Sequence, residues 1–240
     1  MFRTTAHLYD LIYEAQGKDY AAEAAEIHDL IGARNPGASA LLDVACGTGG
    51  HLAHLRRWYE VEGLDRDPGM LAEARHRLGD VPLHEADMRS FALGRTFDAV
   101  ICLFSSIGYL SSNEDLGAAV ATMAGHLRPG GVLVVDGWVR PDAWREPGTT
   151  HVETAQDGDL TVVRASRSRR DGRVTRLEMH HLVVTVERID HLVDHHELTL
   201  FTPGEYEAAL RDAGLTVEVT TSPMPGRDRY IGTRPRRASG

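Results

Sequence analysis

The sequence is poor in cysteine, has no long apolar run and carries no surplus of basic charge, and each absence excludes something. Its two cysteines, Cys46 and Cys102, both sit in apolar or loop surroundings. They leave no disulfide framework, and each is expected to be a small core residue. No uninterrupted apolar stretch approaches the roughly 20 residues of a membrane-spanning helix. The opening MFRTTAHLYD lacks the apolar segment of a secretory signal, so a soluble, cytoplasmic protein is expected. The formal net charge is -9, and nucleic acid is therefore not expected as a partner, because phosphate recognition needs a concentrated basic face. The basic stretches RSRR at 167–170 and RPRR at 234–237 are short enough for a solvated hairpin turn and a loose tail.

What is present begins at 41–50, LLDVACGTGG. A short apolar run ends in Asp43, a loop holds Gly47, Gly49 and Gly50, and a helix-compatible pattern resumes at His51. This is a strand, a tight turn and a helix. Glycines suit such a turn because some positions need positive φ and because a ligand can come close to bare backbone. The N–H groups of the helix start face that ligand. The dinucleotide fingerprint G-x-G-x-x-G fails, since Leu52 holds its third position. Acid-x-x-x-G-x-G, with Asp43 ahead of Gly47 and Gly49, instead resembles motif I of the class I S-adenosylmethionine-dependent methyltransferases. There the carboxylate and loop backbone face the methionine end of the cofactor, where a pyrophosphate would be repelled.

Two further acids extend the resemblance. VEGLD at 61–65 is another apolar strand ending in a carboxylate, at the separation where doubly wound folds place a ribose-binding acid. EADM at 85–88 matches the segment that reads adenine in that family. The resemblance implies that Asp65 holds the ribose hydroxyls and that Asp87 meets the adenine amino group while the Met88 backbone faces the ring. Ala45, Gly47, Gly49 and Leu103 would complete the cofactor wall. Met70, at the start of the next helix, either touches adenine or packs in the core. Tyr9 and Tyr20 either contact the cofactor from an N-terminal lid or pack as ordinary aromatics.

Residues 2–12 carry an amphipathic pattern, the chain breaks at Gly17, and a helix over 19–31 has Asp19 as its cap. Crossover helices are expected at 51–58 and at 67–78, the second with Asp67 as cap and Pro68 in its first turn. FDAVICLFSSIGYL at 97–110 starts as a buried parallel strand and turns polar at Ser105 and Ser106, where its carboxyl end should open onto the ligand crevice. A helix over 113–127, a stop at RPGG and a strand over 132–136 follow. The alternation gives a doubly wound, Rossmann-like α/β fold with a mostly parallel sheet. At 240 residues and 42% hydrophobic, one methyltransferase domain is expected over 1–240.

Between 151 and 201 four extended runs separated by DGD, DG and ERID predict an antiparallel elaboration within that domain. A last helix over 201–215, capped by Thr202, leads to two strands around a loop, suiting the antiparallel edge strand of such sheets. His180, His181, His191, His195 and His196 fall in the elaboration. Adjacent pairs point to opposite faces of a strand, so no metal site is expected, and no motif places any of them as a base.

FSSIGYL, together with GKDY, AAEAA, DVACGTG and LGRTFDAV, is similar over about 9–135, and more weakly to the end, to the N-methyltransferases of nucleotide-linked aminodeoxysugars in actinobacterial antibiotic pathways. That group usually shows an acid, a proline and paired aromatics where this chain has Asp136, Gly137, Trp138 and Val139, which leaves the sugar open. The resemblance implies a dTDP-sugar substrate, S-adenosyl-L-homocysteine as product, and a homodimer built through the antiparallel sheet, which also roofs the cleft. Ser105, Tyr109 and Trp138 would shape the sugar pocket. Arg227 would approach the nucleotide phosphates, with Arg229 second, unless it is a solvated loop arginine. Displacement at a sulfonium leaves a neutral sulfide, so positioning suffices and a strong base is optional. Tyr109 would orient the amine; an ordinary phenol, titrating near ~10, is a poor base. An O- or N-methyltransferase for another small acceptor is the alternative. An NAD-dependent oxidoreductase and a non-catalytic cofactor-sensing protein stand behind it.

Overall fold

A computed structural model describes residues 6–236; residues 2–5 of the amphipathic start and Arg237 of the basic tail lie outside the described residues. Seven strands form the main sheet: β1 (Ala40–Val44), β2 (Glu60–Asp65), β3 (Leu83–Glu85), β4 (Phe97–Cys102), β5 (Leu127–Asp136), β10 (Thr216–Thr221) and β11 (Asp228–Thr233). Their order is β10-β11-β5-β4-β1-β2-β3. β1 to β5 run parallel, and β11 pairs antiparallel with both neighbours. The antiparallel strand is therefore not the edge: β10 is. β11 lies inside because DRYIGT is buried nearly throughout, whereas TVEVTT is mostly exposed.

Two apolar layers cover this sheet. One contains α2 (Tyr20–Gly32), α3 (Gly50–Leu55) and α4 (Pro68–Leu78), with Ile27, Leu52 and Leu71 fully buried. The other contains α5 (Asn113–Gly125) and α6 (Pro203–Asp212), with Val120, Met123 and Leu210 fully buried. The side-chain caps fall where expected: Asp19 accepts from Ala22 N, Asp67 from Gly69 N, and Thr202 with Glu205 forms a capping box. α3 stops at Leu55, short of Trp58. RPGG lies within β5 instead of ahead of it. Pairing with β4 jumps from Phe97↔Leu127 to Ala99↔Val132, so residues 128–131 bulge out of the ladder.

The elaboration is a four-stranded antiparallel meander: β6 (Gly148–Asp157), β7 (Leu160–Asp171), β8 (Val174–Val184) and β9 (Ile189–Thr199). Gly158 and Gly172 supply the positive φ of its two tight hairpins. Its inner face meets the N-terminal helix α1 (Tyr9–Ala15) in a small separate core of Leu8, Ile12, Ala155, Val162 and Val183. α1 is thereby held between the second sheet and the carboxyl ends of the first.

Candidate active site

The carboxyl ends of β1, β2 and β4 open onto a cavity of about 950 Å³ that continues beneath the second sheet. A small recess of about 40 Å³ at the glycine turn shares Tyr9, Ala45 and Gly47 with it, so the two form one cleft.

At the turn, Ala45 and Gly47 have φ of 63° and 55°, and a Cβ on Gly47 would meet nothing within 4 Å. That open space is where a ligand can lie against backbone. Gly49 does different work. It is the left-handed N-cap of α3, and a Cβ there would come 2.6 Å from Leu78 Cδ1, so it permits helix packing and does not face the cleft.

Asp43 is buried at the recess, and its Oδ2 has no hydrogen-bond partner among the described residues. Burial, then the nearby Asp65 charge, pushes its carboxyl well above the usual range. Asp65 accepts from Gly47 N at 2.9 Å and from Asp67 N at 2.9 Å, and burial raises its carboxyl too. Two carboxylates short of positive partners fit a cation and repel a pyrophosphate, the acceptor set expected for a sulfonium amino acid and its ribose hydroxyls. Met70, Asp87 and Met88 line the main cavity. Asp87 is clamped by Arg89, whose Nη2 lies 2.7 Å from Oδ2, and the guanidinium holds it at about 2. Leu103 and Tyr20 line the recess and Tyr9 lines both parts.

A latch closes α1 over the turn. Asp10 accepts from Tyr20 Oη at 2.9 Å, from Thr48 Oγ1 at 2.9 Å and from Arg77 Nη2 at 2.5 Å, joining α1, α2, the turn and α4. Beside it, Lys18, the single lysine of the sequence, donates to Glu23, which also meets His51 Nε2 at 2.7 Å. Burial alone would raise Glu23, but hydrogen bonds from His51 and Lys18 hold it at about 2. The Lys18 ammonium stands 3.8 Å from the Phe104 ring centre in the recess. The legible signal for Lys18 was its place in GKDY.

β4 ends in a strained corner. Phe104 and Ser105 have φ of 54° and 64°, unusual for residues with side chains. Phe104 N donates to Asp136 Oδ2 at 3.2 Å, and Ser105 Oγ donates to the Gly137 carbonyl at 2.7 Å. Ser105 is 1% exposed and braces the corner, while Ser106 lines the cavity wall. The corner becomes a short 3-10 turn, Ser106–Tyr109, that brings Tyr109 to the cavity.

On the far wall, Trp138 donates from Nε1 to Thr175 Oγ1 at 2.9 Å, and the Arg227 guanidinium lies 4.3 Å over its ring. Arg227 Nη1 donates to Ser105 Oγ at 2.9 Å, its Nε is buried without a partner among the described residues, and burial pushes the guanidinium down to about 10. Arg164, from β7, pairs with Glu153 through Nε and Nη2 and packs 5.0 Å over Tyr13, leaving Nη1 buried without a partner among the described residues. No sequence motif singled it out. Arg229 is not a cavity residue. It is 4% exposed and locked onto Asp136 and Glu26 at 2.7 Å each.

Of the histidines, His181 and His196 face inward and are buried, while His180 and His191 stack on the outer face with Nδ1 and Nε2 2.9 Å apart. Among the described residues no group of three metal-ligating side chains comes together. His196 Nδ1 lies 2.8 Å from Tyr109 Oη.

Residues 41–131 match the methyltransferase domain family. The chain is 48% identical over 229 residues to the dTDP-3-amino-3,4,6-trideoxy-alpha-D-glucopyranose N,N-dimethyltransferase of Streptomyces venezuelae, covering 95% of this chain and 96% of that one. It is 46% identical to the dTDP-3-amino-3,6-dideoxy-alpha-D-glucopyranose N,N-dimethyltransferase of Streptomyces fradiae, over 95% and 89% of the two chains. This chain belongs to the class I S-adenosylmethionine-dependent methyltransferases. The fold agrees with the crystal structure of Streptomyces venezuelae DesVI at a TM-score of 0.91 and 47% identity, over 95% and 97% of the chains. It agrees with SAM-bound CalS10, an amino pentose methyltransferase from Micromonospora echinaspora involved in calicheamicin biosynthesis, at 0.86 and 43%, over 95% and 96%. The methyltransferase takes S-adenosylmethionine, which when bound supplies a methyl group activated by a positive sulfur. The likeness also runs well past residue 135, through the second sheet to the last strands.

Proposed function

We propose that this methyltransferase acts on the amino group of a dTDP-linked aminodeoxysugar, giving an N-methyl or N,N-dimethyl sugar for antibiotic biosynthesis in the cytoplasm. The carrying observation is the shape and lining of the cleft. Its inner end has acids and bare backbone, and its outer end, beneath the second sheet, has Arg164 and Arg227, each with a buried guanidinium N–H that no group among the described residues accepts from. An anion at the outer end would satisfy both, as a diphosphate does, and the full-length likeness to dTDP-aminosugar enzymes supports that reading.

In this reading Asp43, Ala45, Gly47 and the recess take the methionine end, and Asp65 takes the ribose hydroxyls. Met70, Asp87 and Met88 frame the adenine, Leu103 walls the recess at the methionine end, and Tyr9 closes the lid. Tyr109 and Trp138 face the sugar and Arg227 the diphosphate. The second sheet roofs the cleft and joins two copies through its outer face, where Val152, Ile189 and Leu182 are 72%, 67% and 42% exposed. The deciding experiment is mass spectrometry of S-adenosylmethionine reactions with a panel of nucleoside-diphosphate aminodeoxysugars and their hydroxyl counterparts. Gain of one or two methyls on aminosugars alone supports the proposal; methylation of hydroxyl counterparts alone replaces the acceptor with an alcohol.

A further inference from the structure

Tyr109 and His196 meet from separate sheets. Tyr109 follows β4 of the main sheet, His196 lies on the inner face of β9, 87 residues later, and both line the cavity. Their contact is a hydrogen bond of 2.8 Å between Oη and Nδ1, with the rings inclined at 59°. A phenol is a stronger donor than a neutral imidazole N–H, and an imidazole nitrogen is the stronger acceptor, so the phenol proton goes to Nδ1. Burial keeps His196 near about 4, hence neutral and able to accept, and raises the Tyr109 phenol, which therefore stays protonated.

We infer that His196 is a positioning residue that commits the Tyr109 proton and so makes the Tyr109 oxygen an acceptor for an N–H of the amine being methylated. The inference rests on the proposed aminosugar substrate. A phenol hydrogen aimed into the cavity would donate to the amine lone pair, the pair that must form the new bond. With that hydrogen taken by His196, the amine donates to Tyr109 Oη and its lone pair is turned elsewhere. In the reaction the nitrogen lone pair forms the N–C bond, the C–S bond breaks with its electrons going to sulfur, and the product ammonium loses a proton to water. A primary amine has two N–H groups to offer Tyr109 and a secondary amine has one. A neutral tertiary amine has none, so the same contact holds the first two acceptors and releases the dimethylated product.

Two measurements test this, and the first needs no substrate. Nitrogen-15 NMR of histidine in the full chain should show His196 as the Nε2–H tautomer with a hydrogen-bonded Nδ1, and Tyr109→Phe should shift the Nδ1 resonance. An Nδ1–H tautomer, or no response to Tyr109→Phe, overturns the proposal. The second is a double-mutant cycle on the aminosugar reaction. Tyr109→Phe and His196→Leu should each lower kcat about tenfold, roughly 1.4 kcal/mol, with little change in KM or in cofactor affinity. The double variant should be no slower than Tyr109→Phe. His196→Asn, which keeps an acceptor oxygen, should recover part of the loss, and monomethyl product should accumulate in Tyr109→Phe. Additive losses, or an effect of His196→Leu confined to thermal stability, would assign His196 a merely structural role. Absence of wild-type turnover on every aminosugar would sink the substrate reading, while the tautomer would still decide the role of His196.

Discussion

Asp65 is the residue on which the turn and the proposed cofactor end of the cleft converge. Its two oxygens already accept from Gly47 N and Asp67 N, so it holds the bare-backbone turn in shape while its remaining lone pairs face the cavity. Asp65→Asn keeps an oxygen acceptor and removes the charge. Hydrogen bonds to a charged group contribute about 1.5–3 kcal/mol, so calorimetry should show S-adenosylmethionine binding weakened by roughly 10–100-fold with the fold intact. Unchanged affinity would remove Asp65 from the cofactor site. This acid was legible in the sequence because it ends an apolar strand at a fixed separation from the glycine turn. The contacts of Ser105 and Arg229 were not legible, because sequence gives their positions but not which way a left-handed corner or a buried ion pair turns them.

At the scale of elements, the second sheet is held to the first by polar contacts as well as by the small apolar core around α1. Among them Arg173 pairs with Glu205 of α6, and His196 is one titratable group, flanked by Asp194 and His181 on the same inner face and by Tyr109 opposite. Its folded value near about 4 lies below the ordinary 6.5, so the unfolded chain binds the proton first as pH falls. The stability it contributes is complete above about pH 6.5 and is lost between there and about 4, on the order of 3 kcal/mol. His51, also lowered by burial, acts in the same sense. Glu23 extends the loss from about 4.5 down to about 2. Denaturant unfolding across pH 4 to 7 should show this slope, and His196→Leu should flatten it; a flat wild-type profile would show that His196 titrates normally. The meander was legible from its turn residues, whereas the bulge at RPGG was not, because proline and glycine signal a break without saying whether the ladder resumes beyond it.

For the whole molecule, the question is what covers the outer face of the second sheet. Val152, Ala165, His180 and Val193 stand in cross-strand register, with Leu182 and Ile189 beside them, an apolar stripe over four strands interrupted by the His180 imidazole. Such a face is a contact surface when a partner of matching shape exists, and a second copy supplies one by symmetry. Sedimentation should find the wild type as a dimer and Leu182→Glu with Val193→Glu as a monomer that still binds S-adenosylmethionine. A monomeric wild type would end the dimer proposal.

The sequence by itself determined the strand, turn and helix alternation, the acids at successive strand ends and the glycine turn, and through them the fold and the cofactor. Those features are set by periodicity and spacing over a few residues, which a linear chain displays. Only the tertiary structure decided which arginine faces the cleft, that Ser105 braces it from behind, and that His196 reaches Tyr109. The partners in those contacts lie 122, 93 and 87 residues apart: Arg227 with Ser105, Arg229 with Asp136, and Tyr109 with His196. Which side chains meet over such distances depends on how the two sheets pack around α1, and no local pattern in the chain encodes that.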